Sequence, residues 1–284
     1  MIDKMNGIKN KKFGKTSVLL IVGIALGAVF LTGCTEQETT TITIKGSSTV
    51  LPVAETCAEE FNKLHSDIKV TVAGGGSSLG IKSVANGEAD IGSASREVKQ
   101  SEIDQYDDIF IDHVIALDGV AVIVSKTIYN AGITDITLDQ LKGIYDGSIS
   151  NWQTLGGPDE EIFVNEREEG SGTRDTFMEI VDLEETNADK ANSANSEVKQ
   201  AVSGSEKAIG YVGLGYVSDQ TPALKINGVK PSAATIKDGS YPISRSLHMY
   251  TKGEATGAVK EFLDFVMGSE GQAFVEEEGF ISIL

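Results

Sequence analysis

The chain has 284 residues, of which 42 are acidic and 24 are lysine or arginine, so its formal net charge at pH 7 is −18. A surface this acidic repels the phosphodiester backbone, which excludes nucleic acid as a partner. The two cysteines, Cys34 and Cys57, are too few for a disulfide framework, and the three histidines lie far apart, so we predict neither a metal site nor a cofactor.

The chain begins with the pattern of an export signal. Five lysines precede the apolar run 18–30, which is shorter than the roughly 20 residues that span a bilayer. The run leads into Leu-Thr-Gly-Cys at 31–34, which resembles the lipobox of prokaryotic lipoproteins, a family whose cysteine is acylated and becomes the first mature residue. We therefore predict a signal peptide over 1–33, a lipid on Cys34 and a solvated tether over 34–41. The alternative is an uncleaved signal anchor.

Either reading places the body of the protein outside the cytoplasm. The predicted lipid on Cys34 would anchor it to the outer face of the cytoplasmic membrane. The leader carries five lysines and one aspartate, so its removal changes the net charge from −18 to −22.

Beyond residue 41, short runs rich in β-branched residues alternate with helical patterns, which predicts an α/β protein with largely parallel sheets. The clearest helix has apolar residues at 54, 57, 58, 61 and 64, the spacing of one helical face. Further helices are predicted over 79–86, 174–181 and 257–267. Strands are predicted over 42–44, 69–72, 109–111, 120–124, 162–164 and 209–212. The polar stretch 184–196 indicates a surface loop or a weak helix.

Three segments share one design, in which a strand is followed by a turn of glycine and hydroxyl residues and then by a helix. The turns are GSST (46–49), GGGSS (74–78) and GSGT (170–173). Each one brings backbone N–H groups, hydroxyl donors and the positive end of a helix dipole to a single point, which suits an anion. One such turn is ordinary helix capping, but three in one chain favour an anion site.

Arg167 lies three residues before the third turn. Its planar guanidinium can donate two parallel hydrogen bonds to a tetrahedral oxyanion. Glu169 is predicted to hold this guanidinium in place. The alternative is an exposed ion pair within the charged run 166–169.

These motifs resemble the substrate-binding proteins of the phosphate-specific (Pst) ABC transporters, which are type II periplasmic binding proteins. The resemblance covers essentially the whole chain after the leader. The matching segments are GSSTVLP (46–52), GGGSSLGIK (74–82), DIGSASR (90–96), LDGVAVIV (117–124), LKGIYDGSISNW (141–152), REEGSGTRDTF (167–177) and GFISI (279–283).

The resemblance implies two α/β lobes, each with a central, mostly parallel sheet flanked by helices, joined by two crossing strands. Lobe one is expected over 42–117 and 246–284, and lobe two over 118–245. A monomer of this kind binds inorganic phosphate between its lobes and delivers it to the permease subunits of an ABC importer, without enzymatic activity.

The resemblance also implies the residues that bind the ligand. They are Ser48, Thr49, Ser77, Arg167, Ser171, Gly172 and Thr173, with Glu169 as the support of the arginine.

The chain departs from the family's pattern at one position. Many members carry an aspartate after the DIG segment that accepts the proton of phosphate, and this chain has Ser95 there, followed by Arg96. We take Ser95 as a further hydrogen-bond donor and Asp118 as the candidate proton acceptor. The alternative for Asp118 is a structural turn residue in an Asp-Gly pair.

Three other functions stay open. The site could take sulfate, molybdate or tungstate, since these oxyanions share the tetrahedral shape of phosphate. A phosphate-ester hydrolase is disfavoured, because the chain has no G-x-x-x-x-G-K-[S/T] loop, no G-x-S-x-G elbow and no histidine-rich set. An adhesin or sensor on the same fold is the third alternative.

Overall fold

The computed structural model describes residues 39–284, in which strands and helices alternate as expected for an α/β protein. The strands are β1 (Thr40–Gly46), β2 (Ile68–Gly74), β3 (Ile91–Ala94), β4 (Phe110–Val124), β5 (Asp135–Ile136), β6 (Phe163–Arg167), β7 (Lys190–Asn192), β8 (Ala208–Gly213), β9 (Lys225–Ile226) and β10 (Ser244–Lys252). The α-helices are α1 (Leu51–Leu64), α2 (Ser77–Ala85), α3 (Gln100–Tyr106), α4 (Lys126–Asn130), α5 (Leu138–Tyr145), α6 (Gly172–Val181), α7 (Asn195–Ser203), α8 (Ala233–Lys237), α9 (Gly257–Met267) and α10 (Ser269–Glu277).

Eight of the strands form one mixed sheet in the order β2-β1-β3-β10-β4-β8-β6-β7. At one end, β1 runs parallel to β2 and β3, and at the other end β6 runs parallel to β7 and β8. In the middle, β10 is antiparallel to β3 and β4, and β4 is antiparallel to β8. The predicted parallel character therefore holds at both ends of the sheet, and two long antiparallel strands join them.

The long strand β4 corrects one prediction. The sequence indicates separate strands over 109–111 and 120–124, but the chain is continuously extended from Phe110 to Val124. The stretch between them carries charged and small residues that weaken a strand pattern. It is held by β10 on one side as far as Gly119, and from Val120 onward β4 also pairs with β8.

Two large hydrophobic clusters divide this central pair of strands along its length. One is built from residues between 42 and 116 together with residues from 247 to 280. The other is built from residues between 120 and 243, with Ile281 added. Along the chain, the first cluster ends at Ala116 and the second begins at Val120. The second cluster then ends at Ile243, and the first resumes at Leu247. The lobe boundaries themselves stay a prediction, since the described residues 39–284 form a single compact unit by their contacts.

Helix α1 shows how a sequence pattern becomes packing. Ala54, Cys57, Ala58 and Phe61 are buried as their spacing predicts, whereas Leu64, the last residue of the helix, is 64% exposed. Burial also raises the pKa of the Cys57 thiol to about 12, so this cysteine behaves as a small apolar core residue.

Several predictions fall at the edge of the described residues or beyond it. The signal peptide over 1–33, Cys34 and the first part of the tether lie outside residues 39–284. The last part of the predicted tether is already structured, because β1 begins at Thr40, which pairs with Ile68. Within 39–284, no helix combines the length and apolar character that a bilayer span requires, and no group of histidine, cysteine and carboxylate residues is arranged to hold a metal.

Candidate anion-binding site

The three glycine- and serine-rich turns of the sequence lie against one another. The Gly76 N–H donates to the Gly46 carbonyl at 2.9 Å, which joins the second turn to the first. The Ser78 N–H donates to the Gly170 carbonyl at 3.0 Å, which joins the second turn to the third. Residues 46–49, 74–78 and 170–173 therefore form one structure, which we call the cradle.

The first and third turns use their helix-start N–H groups differently. At α1, the Ser47 hydroxyl accepts from the Thr49 and Val50 N–H groups, at 3.1 and 3.4 Å, so those donors are already occupied. At α6, the Ser171 hydroxyl caps only the Arg174 N–H, at 3.3 Å. The N–H groups of Gly172 and Thr173 have no acceptor among residues 39–284. The start of α6 therefore keeps two free backbone donors.

The predicted hydroxyl residues are buried and paired across the cradle. Thr49 Oγ1 and Thr173 Oγ1 are 3.0 Å apart, and Ser77 Oγ and Ser95 Oγ are 3.3 Å apart. The Ser95 N–H also donates to Ser77 Oγ at 3.0 Å. Further buried hydroxyls in the cradle belong to Ser48 and Ser171.

Gly172 sits where no side chain fits. A Cβ atom at this position would lie 2.4 Å from Ser77 Oγ, 2.7 Å from Ser95 Oγ and 3.1 Å from Cγ of Arg96. The absence of a side chain lets the start of α6 approach the second turn and the end of β3 closely.

Arg167, the last residue of β6, is buried beside the cradle, with 1% of its surface exposed. Its Nε and Nη2 donate to the carbonyls of Asn192 and Ser193, at 3.2 and 2.8 Å. No carboxylate among residues 39–284 pairs with it. Burial lowers the pKa of the guanidinium to about 10, so it is still charged at neutral pH. The site therefore holds a buried positive charge that carboxylates do not neutralise.

The predicted support of Arg167 by Glu169 is wrong. Glu169 is exposed, because the chain turns outward after β6 before it enters α6. The two backbone carbonyls before α7 position the guanidinium instead.

Asp118 is fully buried and bound to Arg245, which faces it across β4 and β10. Its Oδ2 accepts from Nε and Nη2 of Arg245, at 2.9 and 2.7 Å, and its Oδ1 accepts from the Leu214 N–H at 2.9 Å. Burial raises the pKa of the carboxyl, and the charge of Arg245 opposes that rise. The structure thus makes Asp118 the partner of Arg245, while its role as proton acceptor stays a prediction.

Arg96 is not a free positive charge. It donates to both oxygens of Glu102 at 2.8 Å, to Ser78 Oγ at 2.9 Å and to Asp175 Oδ2 at 2.7 Å. It therefore ties the segment after β3 to α3 and α6 by two ion pairs and to α2 by a hydrogen bond.

Two residues of the site escape the sequence reasoning. Asn195 donates from Nδ2 to Thr49 Oγ1 at 2.9 Å and to Ser48 Oγ at 3.4 Å, although its segment is predicted to be a surface loop or weak helix. Asn195, Val198 and Val202 are buried at helical spacing and mark α7. A polar turn followed by a helix therefore occurs a fourth time in the chain.

The second missed residue is Arg245, which donates from Nη2 to Thr49 Oγ1 at 3.3 Å. In the sequence, its role is indicated only by the presence of a charged residue within a stretch that forms a buried strand.

Comparison with known proteins gives relatives along nearly the whole chain. The family model for the PBP superfamily domain matches residues 34–270, which include the cradle. The phosphate-binding protein PstS of Bacillus subtilis is 37% identical over 252 residues, covering 87% of this chain and 82% of that protein. The PstS of Borreliella burgdorferi is 32% identical over 283 residues, covering 93% of this chain and 98% of that one.

Solved structures of phosphate-transport proteins resemble this chain as well. A Clostridium perfringens protein with bound phosphate, described as a phosphate ABC transporter substrate-binding protein, superposes with a TM-score of 0.81 at 38% identity. The alignment covers 86% of this chain and all of that one. An ABC-type phosphate transport receptor from Vibrio cholerae superposes with a TM-score of 0.69 at 32% identity, over 84% of this chain and 99% of that one.

Proposed function

The chain belongs to the PBP superfamily and, within it, to the family of the PstS phosphate-binding proteins, and from this premise we propose that it binds inorganic phosphate in the cradle and delivers it to an ABC importer. Membership confirms the predicted two-lobed type II fold and the prediction of a binding protein rather than an enzyme. The observation that carries the proposal is the buried, carboxylate-free guanidinium of Arg167 beside a cluster of buried hydroxyls.

The binding energy comes from local donors. With the leader removed the chain carries a net charge of −22, which repels an anion at long range. Inside the buried cradle, hydrogen bonds to a charged group are worth about 1.5–3 kcal/mol each. The N–H groups of Gly172 and Thr173, the hydroxyls and Arg167 together supply enough donors for all four oxygens of a tetrahedral ion.

We further propose that the site forms by closure of two lobes. Contacts that connect the two predicted lobes include Thr49 with Thr173, Arg96 with Asp175, and the Tyr216 hydroxyl with the Ser48 carbonyl at 2.7 Å. A ligand shifts an open-to-closed equilibrium only through the contacts it gains in the closed state. Donors from both lobes around one ion provide that gain.

The family works outside the cytoplasm together with permease subunits. We propose in addition that a lipid on Cys34 tethers this chain to the outer face of the cytoplasmic membrane and that the chain acts as a monomer. The lipobox-like segment 31–34 and the polar stretch after it support the tether. All the proposed ligand-binding residues lie in one chain, so no second copy is needed to form the site, which supports the monomer.

Calorimetric titration of the exported, purified chain tests the proposed ligand. We expect a single phosphate to bind with an affinity at least about tenfold higher than that for sulfate, molybdate or tungstate, because a hydroxyl can turn from donor to acceptor and so accept the proton that phosphate carries at neutral pH and the other three ions lack. Equal or tighter binding of one of the other oxyanions would assign the site to that ion instead. Turnover of a chromogenic phosphate ester would contradict the binding-protein function.

The negative surface leads to a kinetic prediction. Added potassium chloride is expected to speed phosphate association or leave it unchanged, because salt screens the repulsion between the chain and the anion. Stopped-flow association rates at low and high chloride measure this, with sucrose at matched viscosity as the control. A marked slowing by salt would show that a locally positive cleft steers the anion instead.

A further inference from the structure

Arg245 carries a feature that the predicted site does not explain. The side chain is 4% exposed and lies opposite Asp118 in the register of β4 and β10. Of its three side-chain nitrogens, Nε and Nη2 are bonded, whereas Nη1 is buried and has no hydrogen-bond partner among residues 39–284. Buried donors without partners are rare, because each costs the free energy of its lost hydration.

The geometry of the guanidinium shows where Nη1 faces. Its Nε–Nη2 edge is turned to Asp118 Oδ2, and the second Nη2 hydrogen goes to Thr49 Oγ1 at 3.3 Å. In a planar guanidinium, one Nη1 N–H is parallel to that second Nη2 N–H. The unpartnered donor is therefore aimed along the same direction as the bond to Thr49, toward the cradle.

The hydroxyl groups next to Arg245 form a hydrogen-bonded chain in which each group donates its proton away from the arginine. Thr49 Oγ1 accepts from Arg245 Nη2 and from Asn195 Nδ2, which uses both lone pairs of that oxygen. Its own proton is then available to Thr173 Oγ1 at 3.0 Å. Thr173, having accepted, has its own hydroxyl proton free to donate. The network ends in donors, which is the arrangement that an anion satisfies.

We propose that Arg245 is, with Arg167, a second anion-binding arginine beside the cradle, positioned by Asp118, and that its Nη1 donates to the bound oxyanion. The proposal rests on the proposed function. Asp118 balances the charge of Arg245, and Arg167 keeps its charge unbalanced, so the two arginines and the carboxylate together leave a net positive charge for the ligand. Asp118 then acts on the ligand through Arg245.

The competing explanation is that Arg245 serves only to neutralise Asp118. The double variant Asp118→Asn/Arg245→Gln separates the two, because it removes both charges of the buried pair and leaves no unpaired ion. If Arg245 binds the anion, the double variant keeps an unfolding midpoint near that of the wild type but binds phosphate at least about tenfold more weakly in calorimetry. If Arg245 is only a counter-ion, the double variant binds like the wild type, and the proposal is overturned.

Two further measurements cover the case in which the double variant fails to fold. Arg245→Lys keeps a cation beside Asp118 but removes Nη1, so it should lose affinity to a similar extent, and wild-type affinity there would also overturn the proposal. In the wild-type chain, phosphate should shift the NMR signals of the Arg245 side-chain nitrogens, and unchanged signals at saturation would argue against contact. A wild-type chain that binds no phosphate at all would count against the proposed function rather than against the role of Arg245.

Discussion

Replacing Arg167 by glutamine is expected to weaken phosphate binding by at least about 100-fold, because two hydrogen bonds from a charged donor are lost at about 1.5–3 kcal/mol each and 1.4 kcal/mol is a factor of ten. The residue is buried at the end of β6 and held by two carbonyls, so its guanidinium is positioned before the ligand arrives. Calorimetry with the purified variant measures the loss.

The fold of this variant is expected to survive, and the physical reason is the pKa of Arg167. Burial lowers that pKa to about 10, so the unfolded chain binds this proton more tightly than the folded chain does. Because no carboxylate among residues 39–284 forms an ion pair with it, the charge opposes folding at neutral pH, and this penalty is relieved only as the pH rises through about 10. Relief of this penalty offsets the loss of the hydrogen bonds to the carbonyls of Asn192 and Ser193, so the phosphate-free glutamine variant should stay folded at neutral pH.

Arg174→Gln is the matched control. Arg174 is a neighbouring, partly buried arginine, but it pairs with Glu166 at 3.2 Å. Its loss should change phosphate affinity less than about threefold, because Glu166 already neutralises its charge. Wild-type affinity in Arg167→Gln, or an equal loss in both variants, would rule out a specific role for Arg167.

Replacing Gly172 by alanine is expected to cost about 100-fold in phosphate affinity without unfolding the protein. The new methyl group would lie 2.4 and 2.7 Å from the hydroxyl oxygens of Ser77 and Ser95, so the start of α6 must move away. That movement breaks at least two of the hydrogen bonds on which binding depends, each worth about 1.5 kcal/mol or more. Alanine is otherwise favourable at a helical position, so the folded chain should persist.

Small-angle scattering adds a readout that a merely local defect would not change. In the wild type, phosphate should reduce the radius of gyration as the lobes close, whereas the alanine variant should stay expanded at the same phosphate concentration. Gly204→Ala is the control, because Gly204 is exposed and its added methyl group meets only backbone oxygens of its own helix, those of Gln200 at 3.2 Å and Ala201 at 4.0 Å. Normal compaction and affinity in Gly172→Ala would show that the close approach at α6 is dispensable.

The structure changes which groups we expect to distinguish phosphate from sulfate. Ser95 stands where many relatives of this type are expected to carry an aspartate, and it is occupied with Ser77. Asp118, the candidate replacement, already receives two donors from Arg245 and one from Leu214. We therefore expect discrimination between phosphate and sulfate to depend on how hydroxyl groups reorient as much as on any free carboxylate.

The sequence by itself determined the local chemistry of the cradle. Glycines at the turns, hydroxyl residues before helices and the apolar spacing of α1 act over a few residues, so their effect can be read without knowing the fold. Three turns and Arg167 were identified on that basis.

Tertiary structure alone decided which distant groups meet them. Arg245 lies 127 residues from its partner Asp118, and Asn195 lies 146 residues from Thr49, so no spacing rule connects either pair. Glu169, two residues from Arg167, turns outward and leaves the support of the guanidinium to backbone carbonyls. The same holds for β4, whose charged middle becomes a strand because β10 supplies its hydrogen bonds. A capping turn satisfies its own backbone locally, whereas a buried charge must find its partner wherever the sheet brings one.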